Sequence, residues 1–145
     1  MKNAMQPGEF VESIEIPARD PGLLLRCYKI CKRFDQDISA VCAAFALRLD
    51  GDLVADLCIV FGGMAAIPKR AELTEQSLIG QSWDEAKVNN ARLKLAEDFT
   101  PMTDMRASAD YRKQVSANLL YRFYLETRAS DALANESVNV FEVSA

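Results

Sequence analysis

The sequence predicts an α+β domain, an antiparallel β-sheet of three to four strands packed against a C-terminal three-helix layer. Apolar residues alternate in two runs joined at Asp50-Gly51, and helical periodicity takes over after Gly63 and holds to Thr127. Strands precede helices instead of alternating with them, which favours segregated layers over a parallel sheet. With 145 residues, 50% of them hydrophobic, the chain can fill one core. A single domain over 1–145 is expected, with 1–8 as a linker or tail and about 129–145 poorly ordered or peripheral.

Taken in order, Phe10 to Ile16 reads as a strand, apolar at positions 10, 14 and 16 and closed by Pro17. Ala18 to Gly22 is a turn cluster. Leu23 to Phe34 is ambiguous: Leu24, Cys27, Tyr28 and Cys31 suit a helix, whereas Leu25, Cys27 and Lys29 alternate as in a strand. Val41 to Phe61 predicts a long hairpin. Val41, Ala43, Phe45, Leu47 and Leu49 face one way, as do Leu53, Ala55, Leu57, Ile59 and Phe61, and Gly51 tolerates the positive φ of a tight reversal. Cys42, Arg48, Asp56 and Cys58 on the other side predict a sheet covered by helices on one face only.

Pro68 is expected to open a helix that ends at Gly80, a plausible glycine stop. Ser82 to Glu85 has the form of a capping box, so a second helix should run to about Phe99 and break before Pro101. A third helix is expected from about Ser108 to Thr127, with Tyr111, Val115, Leu119 and Phe123 on one stripe widened by Leu120 and Tyr124. Fraying is expected from Arg128, unless Val138, Val140, Phe141 and Val143 add a strand.

Charge and composition exclude several functions. Lys and Arg number 17 against 21 Asp and Glu, a net charge of −4 that lacks a basic nucleic-acid footprint. No apolar run is long enough to span a bilayer, and Met1-Lys2-Asn3-Ala4 starts no signal-peptide core, so neither nucleic acid nor membrane is expected as a partner and the location expected is cytoplasmic. With no histidine there is no imidazole base, no Ser-His or Cys-His nucleophile and no His-ligated metal. Cys27, Cys31, Cys42 and Cys58 follow no zinc or iron–sulfur spacing and read as reduced, core or half-buried thiols. No metal site and no catalytic residue is assigned to this chain.

Three stretches carry unusual density. Gly62-Gly63 follows a strand, where a sheet-to-helix turn explains it more readily than a ligand. Tyr28 to Asp37 is a charged loop between apolar elements, ordinarily a solvated loop with local ion pairs. In Asp98 to Arg106, Asp104 and Arg106 are suited to order the loop as an ion pair, and Ser108 to cap the following helix, structural roles placed ahead of catalysis.

Together, YKICKRFDQDIS (28–39), FGGMA (61–65), IPKR (67–70), DFTPMTDMRASADYR (98–112) and NLLYRFYLE (118–126) make the chain resemble the C-terminal part of a flavoprotein. It is similar to the C-terminal domain of the FAD-bearing small subunit of bacterial xanthine dehydrogenases, and more broadly to the carbon-monoxide-dehydrogenase flavoprotein C-terminal domain. The similarity covers about residues 7 to 128. It implies an antiparallel sheet on a helical bundle, and a chain that starts just after a FAD-binding domain as an excised or separately expressed piece.

The resemblance implies an oxidoreductase in which purine hydroxylation at a molybdenum cofactor in a large subunit sends electrons through [2Fe–2S] clusters to FAD and NAD. FAD would be held mainly by the preceding FAD-binding domain, and the clusters by the iron–sulfur region of the same subunit. This chain would help close the flavin site and be inactive alone. Lys29 stands at the position that in the family approaches the isoalloxazine edge, and the loop Arg33, Phe34, Asp35, Gln36 and Asp37 would lie near the flavin and border the NAD side. Animal relatives tend to carry a second basic residue where Phe34 stands, so charge control at that loop does not carry over in detail. The alternatives are the flavoprotein domain of another molybdenum hydroxylase, acting on carbon monoxide or an aromatic heterocycle, or a freestanding, non-catalytic partner-binding module.

Overall fold

Leu24–Ile30 (β1), Val41–Asp50 (β2), Leu53–Gly62 (β3) and Lys69–Arg70 (β4) form one antiparallel sheet in sequential order. The helices Glu72–Leu78 (α1), Glu85–Asp98 (α2) and Ala109–Thr127 (α3), and a last turn Asn135–Val138 (α4), follow. The computed structural model describes residues 5–16, 18, 20–33 and 36–138. Among the described residues no helix is long and apolar enough to cross a membrane.

The ambiguous segment resolves as strand over Leu24–Ile30, and residues 31–33 leave the sheet. Tyr28 of β1 pairs with Ala43, which pairs in turn with Phe61, so all three side chains lie on one face. That face is the core. Phe45 stacks on Phe123 of α3 at 5.0 Å between centroids, and Phe61 meets Phe45 and Phe99 edge-on at 5.7 and 5.5 Å. Trp83 packs against Phe123 and Tyr124 and donates its indole N–H to Thr127 Oγ1 at 3.1 Å.

The structure corrects the simple alternation in β3. Arg48 pairs with Asp56 but Leu49 pairs with Val54, leaving Ala55 as an extra residue. Such a bulge flips every later side chain to the other face. Leu53 and Ala55 therefore face solvent and Val54 is buried, against the expectation that Leu53 and Ala55 point inward. The hairpin tip is held by the α1–α2 connection: Val54 N donates to Gln81 O and Trp83 N to Asp52 O.

Three further expectations change. Phe10 to Ile16 forms no strand; among the described residues it has no pairing partner, and Phe10, Val11, Ile14 and Ile16 are exposed. Pro17 lies outside the described residues. The first helix opens at Glu72, not Pro68, because Lys69–Arg70 pairs with β3 and Asp98 caps the helix from a distance, accepting from Leu73 N and Thr74 N at 2.9 and 3.0 Å. Gly80 does follow it, with φ +77°. The box at Ser82 is shifted by two: Asp84 is the N-cap and accepts from Lys87 N at 2.8 Å, Ser82 donates to Asp84, and Glu85 accepts from Tyr121 Oη instead.

Ser108 caps α3 as expected, accepting from Tyr111 N at 3.2 Å. Past α3 the chain turns back, with Leu133 N donating to Leu125 O. Val138 ends a helical turn and not a strand, and Val140, Phe141 and Val143 lie outside the described residues.

Candidate functional site

Because helices cover only one face of the sheet, the other is open. Its cross-strand rows follow from the register: Lys29–Cys42–Gly62, then Cys27–Ala44–Val60–Arg70, then Leu25–Ala46–Cys58. Apart from Leu25, Lys29 and Arg70, which is ion-paired with Glu75, these are small or β-branched side chains, so the strip between them carries no bulky group. Lys29 stands at one corner, exposed, with no ion pair or hydrogen bond among the described residues. A free ammonium over a flat, weakly polar surface is suited to a planar ligand that carries or gains negative charge. The thiols Cys27, Cys31, Cys42 and Cys58 are all reduced. Cys31 and Cys58 are half-buried as expected, whereas Cys27 and Cys42 are exposed on this open face, a correction set by strand parity.

The neighbouring residue points the other way. Tyr28 donates from Oη to Glu126 at 2.9 Å, and the same buried carboxylate accepts from Arg26 Nε at 3.2 Å and Arg122 Nε at 2.7 Å. Burial, and then the Glu126 charge, push the Tyr28 phenol well above its ordinary pKa, so it remains a donor. This cluster fixes β1 to α3 and thereby fixes where Lys29 stands.

After β1 the chain enters the charged loop. Arg33 clasps Asp37: its backbone N–H donates to Oδ2 and its guanidinium to Oδ1, both at 3.1 Å. The Arg33 guanidinium and neighbouring amides hold the Asp37 carboxyl below its usual pKa. Gln36 sits at φ +52°, a left-handed conformation uncommon for a residue with a Cβ. Phe34 and Asp35 lie outside the described residues. Of the residues singled out from the sequence, Lys29, Arg33, Gln36 and Asp37 thus share one end of the sheet, Lys29 on its open face and the others in the loop beyond it.

A residue the sequence reading passed over organises that end. Arg112, only 2% exposed, reaches from α3 and donates to the carbonyls of Ala40 and Gly63 (the latter at 2.8 Å) and to Asp104 Oδ1 at 2.7 Å. It knots the entry to β2, the exit of β3 and the α2–α3 loop. Asp104 completes the knot by accepting from Arg106 N and Ala107 N at 2.8 and 3.1 Å. Those two amides, then Arg112, hold its carboxyl down at about 2. The expected Asp104–Arg106 ion pair is present but loose, at 3.7 Å.

The knot explains Gly63. Its φ is +83°, and an added Cβ would collide with the Ala40 carbonyl and lie 2.9 Å from Arg112 Nη1. The signal in the sequence was the pairing of Gly-Gly after a strand with an Arg one turn into the following long helix. It is visible only when the three loops are known to meet.

The comparisons agree with this architecture. The model of the CO dehydrogenase flavoprotein C-terminal domain matches residues 26–127. A xanthine dehydrogenase of Emericella nidulans is 35% identical over 138 residues, covering 88% of this chain and 10% of that protein. A nicotinate hydroxylase of the same organism is 32% identical, covering 85% and 10%. The glyceraldehyde dehydrogenase medium chain of Sulfolobus acidocaldarius is 29% identical, covering 82% of this chain and 42% of the relative. Carbon monoxide dehydrogenase from Hydrogenophaga pseudoflava has a similar fold, with a TM-score of 0.68 at 24% identity over 74% of this chain and 37% of that one. The chain spans between about a tenth and two-fifths of these curated relatives.

Proposed function

The chain belongs to the CO dehydrogenase flavoprotein C-terminal domain family, and from that premise we propose that it closes the flavin site in the FAD subunit of a xanthine dehydrogenase. The observation that carries this reading is the unpartnered Lys29 ammonium at the corner of an open, small-residue sheet face. The residues fit a flavin: the face is flat enough for a ring, and the one cation on its edge row has no competing carboxylate among the described residues. The 35% identity to a xanthine dehydrogenase supports that enzyme class.

Bound there, FAD would supply the relay between one-electron [2Fe–2S] clusters, fed from a molybdenum centre, and the two-electron acceptor NAD. This chain's own part is electrostatic and steric. Lys29 places a positive charge where reduction adds a negative one, and its effect grows as the opposing domain excludes water. Tyr28, anchored to Glu126, keeps β1 from shifting under it. The Arg33–Asp37 clasp keeps the adjoining loop folded at the rim, on the side assigned to NAD. The chain alone would hold FAD weakly and turn over no xanthine, and its location would be cytoplasmic.

A second reading rests on the 32% identity to a nicotinate hydroxylase: the same domain in a molybdenum hydroxylase for an aromatic heterocycle. The substrate is selected at the molybdenum subunit, so co-expression with the neighbouring subunits and assay with xanthine and with nicotinate separates the two. Xanthine-dependent NADH formation supports the first reading. Turnover of nicotinate alone supports the second.

A further inference from the structure

We infer that the cleft between the β1–β2 loop and the α2–α3 loop binds a phosphate group, free or carried by a nucleotide. This goes beyond the flavin-closing reading and does not depend on it. The cleft has a volume of about 600 Å³, and its walls include Lys32, Ala40, Asp104, Arg106, Ser108 and Tyr111.

Two cations line it. Lys32 donates to the neutral carbonyl of Met105 at 2.8 Å, which leaves its charge uncompensated and two of its N–H groups available. Arg106 Nη1 lies 3.7 Å from Asp104 Oδ2, a loose ion pair beyond hydrogen-bond distance, while two backbone amides and Arg112 all donate to Oδ1, so the Arg106 guanidinium keeps its N–H donors available. No other carboxylate among the described residues lies within ion-pair distance of Lys32 or Arg106; Asp37 is clasped by Arg33. In a chain of net charge −4, a lysine with no carboxylate partner among the described residues and a loosely paired arginine thus share one concavity.

The donor set suits a phosphate. Arg106 offers a planar fork and Lys32 a mobile point charge, the two geometries with which proteins hold phosphate oxygens. Ser108 uses its oxygen to accept from Tyr111 N, so its O–H proton remains to be donated. The cleft is preformed, because the Lys32–Met105 bond joins its walls and Arg112 ties Ala40 to Asp104 beneath it. Tyr111, 46% exposed on the same wall, presents an aromatic ring on which a base can stack.

The test is an amide NMR titration of the 145-residue chain with inorganic pyrophosphate and, separately, with ADP. Saturable shifts are expected at residues 31–33 and 103–111, weakening as salt is added. Arg106→Gln and Lys32→Gln should each raise the pyrophosphate Kd about tenfold, with Arg106→Lys intermediate, while Lys94→Gln on α2 leaves it unchanged. ADP binding about tenfold tighter than pyrophosphate, with the advantage lost in Tyr111→Ala, identifies a nucleotide. Equal affinity identifies the phosphate alone. Each variant is first shown to keep the wild-type melting transition. No saturable shift with either probe, shifts mapping elsewhere, or an unchanged Kd in folded Arg106 and Lys32 variants would overturn the assignment.

Discussion

On the helix-facing side of β2, Val41, Ala43, Phe45 and Leu47 are buried against α3 and the aromatic residues of β1 and β3. One residue along at each step, Cys42, Ala44, Ala46 and Arg48 look out from the same strand onto an open surface. The inner set is chosen for volume and shape complementarity, since a core position is penalised for every lost methylene. The outer set is chosen for small side chains, with Lys29 as its cation without a partner among the described residues and Arg48 ion-paired to Asp20. Stability therefore resides on one face and, on the reading argued above, function on the other.

Substitutions should reveal that division, beginning with the largest effect. Phe45→Ala removes a ring stacked on Phe123 and met edge-on by Phe61 and should destabilise the chain by about 3–5 kcal/mol in urea unfolding. Arg112→Met should cost about 3 kcal/mol, because it strips the buried Ala40 carbonyl, the Gly63 carbonyl and Asp104 of their donor, and Gly63→Ala should fall near it by driving a Cβ into the same knot. If either knot variant melted like the wild type, the loop end would be less rigid than its hydrogen bonds require.

Acid provides a milder probe of the same knot. The Asp104 carboxyl is held at about 2 in the folded chain, below its ordinary 3.8. A depressed carboxylate contributes stability that is full above its unfolded pKa and lost as pH falls through the folded one, here from about 4 to about 2. Asp104→Asn should flatten the stability profile in that window and leave its shape above it unchanged. At the small end, Ala44→Ser and Cys42→Ser on the open face should shift stability by no more than about 0.5 kcal/mol. A large loss from either would mean that the outer face carries structural weight in this chain.

The same division governs what the sequence made legible. Phe45, Leu47, Ile59 and Phe61 announced the hairpin because period-two burial is a local pattern, and Ser108 announced α3 because a cap acts within one turn. The bulge at Ala55, the capping of α1 by Asp98 and the Arg112 knot each depend on residues far apart in the chain. Phe10 to Ile16 misled because alternation signals a strand only if another strand is there to pair with it. Lys29 was singled out through its motif; what the structure adds is that strand parity turns it away from Tyr28 and onto the open face.

Lys29→Met tests the central claim most directly, in the flavin-loaded assembly. Removing an exposed charge with no partner among the described residues should leave the unfolding transition of the chain unchanged. The flavin midpoint should fall, by about 30 mV for a two-electron couple if the lost interaction is 1.4 kcal/mol, and reduction of NAD should change with it. Anaerobic reduction of the molybdenum centre by xanthine should stay as in the wild type. A Lys29→Met enzyme with an unaltered flavin midpoint and unaltered NAD kinetics would contradict the account and leave Lys29 an ordinary solvated charge.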